Sequence, residues 1–211
     1  MKRIHHGLLW ATIAVASASM ANAQAPAGAA GAKGAPPPPR PVLSVTTNAW
    51  PDGGEVPARN AGRAENKSPA FEFHWSLGLT PTSAPDTLKT YGVIFHDVEN
   101  STNRTTTDTL HWTAFNIPGT AQGLPEGLGS GDLPDGTRNG PGIMAGRGGP
   151  SAYFGPGAGV GPIHHYVFEF YALDTKLELP ATATRDELLK AMDGHVIGKA
   201  AWFGRFHAQP N

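Results

Sequence analysis

The segment YVFEFYAL, residues 166–173, is apolar on both faces of an extended chain, with Glu169 as its only charge. Side chains alternate across a strand, so a strand with apolar residues on both faces needs cover on both sides. This places 166–173 at the centre of a sandwich or barrel. The remaining apolar runs also follow the strand period. Phe71, Phe73 and Trp75 alternate with Glu72 and His74, the pattern of a half-buried strand with one wet face. Pro69 sits just before this run, where a strand start tolerates proline. YGVIFHD (91–97) and HWTAFNI (111–117) are rich in β-branched and aromatic residues and are separated by the polar, turn-prone VENSTNRTTTDTL. They read as two strands joined by a wide loop. HVIGKAAWFGRF (195–206) reads as a last strand, loosened by Gly198 and Gly204.

One helix is signalled. Thr184-Arg185-Asp186-Glu187 is a capping box, in which the threonine hydroxyl takes an orphan amide and the glutamate reaches back to the cap. Leu188, Leu189 and Met192 form an apolar stripe, and Gly194 supplies a left-handed stop. A helix this short is expected to pack on a sheet. The fold class is therefore mainly β, an antiparallel sandwich with a short C-terminal helix packed on it.

The chain begins with Lys2 and Arg3, a short apolar run over 7–19 and a small-residue end at Ala21-Asn22-Ala23. That pattern predicts a signal peptide over 1–23 and a periplasmic or secreted protein. Residues 24–41 are Ala/Gly/Pro-rich with hardly any large side chains, which predicts a disordered linker, stiffened at Pro36 to Pro39. Residues 42–211 then form one domain. There is no cysteine, so no disulfide supports the core. The apolar run near the start is too short to span a bilayer, so no transmembrane span is expected. Without Lys2, Arg3, Lys33 and Arg40 the domain has 12 Lys+Arg against 17 Asp+Glu, a net charge of about −5. An acidic domain with no basic cluster is a poor match for nucleic acid.

The stretch from Gly119 to Gly161 holds 15 of the 27 glycines and shows little core pattern. A loop this long inside a domain is functional, disordered, or both. It ends just before His164. Asp97 closes one apolar run and His111 opens the next, so antiparallel pairing would bring them together. His164 also opens a strand. Adjacent strand residues face opposite ways, so only one of His164 and His165 can join a shared pocket. His74 and His207 read as surface, His195 as local to the helix stop, and His96 as facing opposite Asp97. The residues alone support an exported β-rich domain with a His/Asp pocket.

HWTAFNIP followed by LPEG, then GPIHHYVFEFYALD, then LPATATRDELLKAMDGHVIGKA, together with WPDGGEVP and SPAFEFHW, resemble in their order the phosphatidylethanolamine-binding protein (PEBP) family. The nearest branch is the bacterial YbhB/YbcL, or Raf kinase inhibitor-like, group. The resemblance spans nearly all of residues 45–207. It implies a β-sandwich with a small anion-binding cavity. Matched position by position, it assigns ligand-binding roles to Asp97, Glu99, His111, His164 and Tyr166, and to a Gly-Pro element at Gly155-Pro156, with Gly149-Pro150 as the alternative. His164 then faces the cavity and His165 points away. Three departures stand out. The prolines of the family's acidic segment are missing from His96-Asp97-Val98-Glu99-Asn100, the family's arginine after the second histidine is His165, and the glycine-rich loop is long.

Two imidazoles beside a carboxylate can hold an oxyanion, with glycine amides near Gly155 adding a backbone nest. The expected ligand is a small anionic or phosphorylated head group, such as phosphoethanolamine, bound without a cofactor or metal. A protein partner, inhibited as by kinase- or protease-inhibitor relatives, is also expected, with the glycine-rich loop as the contact element. No HExxH, GxSxG or cysteine ligand set points to an enzyme. The alternative is a metal-dependent or acid/base hydrolase that uses His111, His164 and Asp97.

Overall fold

The computed structural model describes residues 38–101 and 104–209. The expected signal peptide over 1–23 and residues 24–37 of the expected linker lie outside these. Two sheets face each other. The smaller contains β1 (Val42–Thr46), β3 (Phe71–Leu77), β4 (Thr80–Thr82) and the two-residue β7 (Gly123–Leu124), with β3 pairing to all three others. The larger runs in the order β2 (Gly54–Glu55), β10 (Val196–Phe206), β9 (His164–Leu173), β5 (Thr90–Asp97), β6 (Thr109–Pro118), β8 (Arg138–Asn139). Its pairs are antiparallel except for β10 with β2.

The central position of β9 explains its composition. On one face Phe168 and Phe170 meet Phe71 of the smaller sheet, with ring centroids 5.0 and 4.8 Å apart, inside a core that also takes Leu43, Phe73, Trp75 and Trp112. On the other face Tyr171 and Leu173 join Ile94 of β5 and Phe115 of β6 under the helix α2 (Arg185–Met192), which contributes Leu188 and Met192. Each fully buried ring or aliphatic side chain of this kind contributes about 1.5–3 kcal/mol. The predicted capping box is present: the Thr184 hydroxyl accepts from the Glu187 amide, and the Glu187 carboxylate accepts from the Thr184 amide. Gly194 takes the left-handed conformation expected of the stop, at φ +81°.

Two expectations are corrected. At Gly198 the pairing with β9 shifts register, as a loosened strand would, but Gly204 does not interrupt it. A Cβ at Gly198 would lie 2.9 Å from Trp75 Cη2, and one at Gly204 would lie 2.5 Å from Val56 Cγ2, so both glycines permit close packing against neighbouring side chains. The glycine-rich stretch is also not empty of structure. It supplies β7, β8 and the single-turn helix α1 (Ile143–Gly146), along with buried Leu124, Asn139 and Tyr153. Fully buried Asn139 accepts from Trp112 Nε1 at 2.8 Å and donates to the carbonyls of Gly129 and Gly131 at 3.1 and 2.8 Å. That side chain ties the loop to the sandwich core. Deleting 127–150 would therefore break the fold rather than remove a detachable contact element.

Candidate functional site

β5 and β9 are neighbours, with Asp97 directly opposite Tyr166. Alternation puts Asp97, His164 and Tyr166 on the sandwich-facing side, at the end of the strands. His111 reaches the same place by a different device. Phe95 pairs with Trp112 but His96 pairs with Leu110, so His111 is an extra residue in β6. This β-bulge turns the ring onto the side where regular alternation would not place it. The ring then sits 5.3 Å from that of Phe95 and 5.2 Å, edge-on, from that of Tyr166. The His164 ring stacks on the other side of the tyrosine at 6.4 Å. Both imidazoles thus converge on one phenol.

These four residues line a cavity of about 320 Å³. Phe154, Gly157, Ala158 and Gly159 form a second wall from the glycine-rich segment, and Arg63, Asn100, Ile143 and Arg147 complete the rim. Asp97 is buried at 3% exposure and fully engaged. One oxygen accepts from the Glu99 and Asn100 amides at 3.1 Å each, and the other faces His164 Nδ1 at 2.8 Å. The turn after β5 is therefore folded around its own carboxylate. His111 Nδ1 lies 2.9 Å from the Phe154 carbonyl, which fixes that nitrogen as a donor. Burial pushes the His111 pKa below its ordinary value, despite the opposing pull of that carbonyl and of Asp97. Burial and the nearby Asp97 charge raise the Tyr166 pKa, so its phenol stays protonated, and its oxygen accepts from the Ala158 amide at 3.3 Å.

The other expected site residues do not line the cavity, although the Gly155 backbone contacts the His111 ring. Glu99 turns outward and binds His165, accepting from its amide at 2.6 Å and facing its Nδ1 at 2.5 Å. Burial opposes the Glu99 charge, but these His165 contacts prevail and hold its pKa below the ordinary value. His165 thus points away from the cavity and pairs with Glu99. Gly155 and Pro156 lie behind the wall. A Cβ on Gly155 would come within 1.9 Å of the Asn60 carbonyl, and its amide is already donated to Asn66 Oδ1 at 2.9 Å. The Pro156 carbonyl accepts from Gly62 at 2.9 Å. The expected backbone nest therefore cannot use the Gly155 amide.

Sequence reasoning missed Arg63 and Arg147. Neither lies on a strand or a predicted helix, so periodicity gave no hint of them. The available signal was the tripeptide Ala-Gly-Arg, which occurs at 61–63 and again at 145–147 and points an arginine at the same hollow both times. Arg147 lies over the Phe154 ring, 5.7 Å from its centroid. The other histidines are local. His195 pairs with Asp174 at 2.8 Å, His74 with Thr46 at 2.8 Å, and His207 with the Gly161 carbonyl at 3.2 Å.

Chemically, the cavity offers cationic and neutral donors around one committed carboxylate. For a metal, the donor atoms that come within 4.8 Å of one another among the described residues are those of Asp97, Glu99 and His164, without His111. Those atoms already bond to each other, to backbone amides or to His165. No serine, threonine or cysteine lines the cavity.

Comparison with known proteins agrees with this architecture. The sequence model described as phosphatidylethanolamine-binding protein matches residues 46–207. A UPF0098 protein of Methanothermobacter thermautotrophicus is 34% identical over 165 residues, covering 78% of this chain and 98% of the relative. Two crystal structures share the fold at 24% identity. One is a PEBP homolog, CT736, of Chlamydia trachomatis, with a TM-score of 0.65 over 80% of this chain and 99% of the other. The second is YbcL of E. coli, described as a member of the mammalian PEBP family, with a TM-score of 0.64 over 79% and 99%. With its family sequence pattern, its two facing sheets and its Asp/His cluster at one end of the larger sheet, this chain belongs to the phosphatidylethanolamine-binding protein family.

Proposed function

We propose that this is an exported binding protein whose cavity takes the phosphoryl or carboxylate group of a small ligand, of which phosphoethanolamine is a simple example. The observation that carries the proposal is the convergence of His111, His164, Tyr166, Arg63 and Arg147 on one hollow of about 320 Å³ beside Asp97. Family membership supports ligand or protein binding in general and names no ligand. Export is supported by the charged, apolar and small-residue pattern of residues 1–23. No helix among the described residues is long and apolar enough to cross a membrane.

Binding without turnover is favoured by the chemistry of the wall. It offers no hydroxyl or thiol nucleophile apart from Tyr166, and burial keeps that phenol protonated. A tyrosine in that state donates a hydrogen bond instead of attacking.

The histidines set a pH dependence. In neutral His111 the proton lies on Nδ1, facing the Phe154 carbonyl, so Nε2 is an acceptor and does not suit an anion. A bound anion favours the protonated ring. Affinity for a given ionic form of the ligand should therefore rise as the pH falls, and for His111 the rise should begin below the ordinary histidine value of 6.5 because burial depresses its pKa. The test is a titration with inorganic phosphate, followed by the imidazole NMR signals of His111 and His164 across that range. Shifts at both rings that saturate are expected, with an affinity that strengthens toward acid pH once it is expressed per phosphate dianion present. Silence at both rings would rule the site out.

A further inference from the structure

Resting on the anion-site reading above, we infer that Arg63 and Arg147 form a two-sided clamp. It makes the cavity selective for the doubly charged group of a small phosphate monoester over the singly charged diester of a lipid head group.

The clamp is built from two separate loops that both rest on Phe154. Gly62 presses against it so closely that a Cβ there would lie 2.6 Å from Phe154 Cε1 and 2.7 Å from the Gly155 carbonyl. The Gly62 amide donates to the Pro156 carbonyl at 2.9 Å, so Arg63 leaves this loop directly at the rim. Arg147 follows the single turn 143–146 and lies over the face of the same phenylalanine. Both arginines are exposed, and among the described residues neither guanidinium has a carboxylate or hydrogen-bond partner.

Charge counting then favours a dianion. Two guanidinium charges, those of Arg63 and Arg147, face the hollow, and the one carboxylate on its wall, Asp97, directs its charge to partners inside the chain. Asp97 is already hydrogen-bonded to two amides and His164, while Glu99 is drawn outward by His165. Protonation of either imidazole makes the cavity more positive. A phosphate monoester near neutral pH carries roughly 1.5–2 negative charges and three terminal oxygens. A diester carries one charge and has only two such oxygens. Guanidinium groups match phosphate oxygens in pairs, so two arginines with the Tyr166 phenol can fill three oxygens but are under-used by two.

The experiment is isothermal titration calorimetry on the full chain at low salt. O-phosphoethanolamine is the monoester, glycerophosphoethanolamine is the diester that stands for a lipid source, and inorganic phosphate is the reference. The proteins are wild type, Arg63→Gln, Arg147→Gln, the double variant and His164→Gln, each checked for folding by its thermal melt. The wild type is expected to bind the monoester at least about tenfold more tightly than the diester. In the double variant that preference should fall to about parity, with diester affinity changing by less than about threefold. Equal affinities in the wild type, or a preference that survives in the double variant, would overturn the clamp. If His164→Gln still abolished binding in that case, the anion site would stand without the clamp. A wild type that binds none of the three probes would remove both.

Discussion

The two faces of the larger sheet are built from neighbouring residues and similar chemistry, yet they end in opposite states. On the outer face His96 Nδ1 meets Asp108 at 2.5 Å and its Nε2 lies 3.4 Å from Glu169, while Asp108 also pairs with Arg185 and Glu169 with Lys199. The His96 contact offsets the cost of burial and, with Lys199, holds the Glu169 carboxyl at a pKa of about 2. Each carboxylate in this network faces basic groups, although His96 Nε2 and Arg185 Nε have no hydrogen-bond partner among the described residues. On the inner face, one residue along β5 from His96, Asp97 pairs with His164 of β9, but the same hollow holds two arginines with no hydrogen-bond or carboxylate partner among the described residues and a histidine whose pKa burial lowers. The paired network ties β5, β9, β10 and α2 together. An open one leaves donors for something outside the chain. The histidine pair at 164–165 shows the same division on a small scale, since one ring lines the cavity and the other closes an ion pair with Glu99.

The largest test of this division is Asp97→Ala. It removes the acceptor of two amides and of His164, and should cost about 2–4 kcal/mol in urea unfolding while abolishing phosphate binding. A stable protein that still bound phosphate would show that Asp97 organises neither. Next is Glu169→Ala on the outer face, which strands His96 and Lys199 and should cost about 1–3 kcal/mol. Its phosphate affinity, measured by calorimetry, should stay within about twofold of wild type. A larger loss would mean that the two faces are coupled through the strand.

The pH dependence of stability separates the faces by window. His111 has a folded pKa below its unfolded value of 6.5, so the unfolded chain takes up its proton first as the pH falls. That contribution is complete above 6.5 and declines as the pH drops toward the depressed folded value. Glu169 contributes fully above 4.5 and is lost as the pH falls toward about 2. Urea unfolding in steps from pH 7 to pH 3 should therefore show the loss from the inner face first, and His111→Gln should flatten only that upper part. The smallest expected effect is that of His165→Arg. The side chain is 55% exposed and points outward, so stability should shift by no more than about 0.5 kcal/mol and phosphate affinity should not change. A clear gain in phosphate affinity would place that position in the cavity after all.

Much of the fold was legible because its signals are short-range. The two-sided apolar run at 166–173 correctly announced a strand covered on both faces, and the box at Thr184–Glu187 correctly placed a helix start. Neither depends on distant residues. The glycine-rich stretch misled because glycine carries no side-chain pattern. Its order comes from Asn139 and Tyr153, each anchored to partners far along the chain. At the site, antiparallel pairing was the local reason to expect Asp97 near His111, and the placing of His164 beside them came from the family resemblance. Nothing local marked the capture of Glu99 by His165 or the packing of Gly155 against Asn60.

By itself, then, the sequence determined the long core strands, the capped helix, the facing of regularly paired strand residues and the family pattern, because period and capping act within a few residues. Only the tertiary structure decided that a bulge would turn His111 inward and that arginines from two unrelated loops would line one cavity. Strand register and loop packing set those positions, and both depend on contacts between residues tens of positions apart.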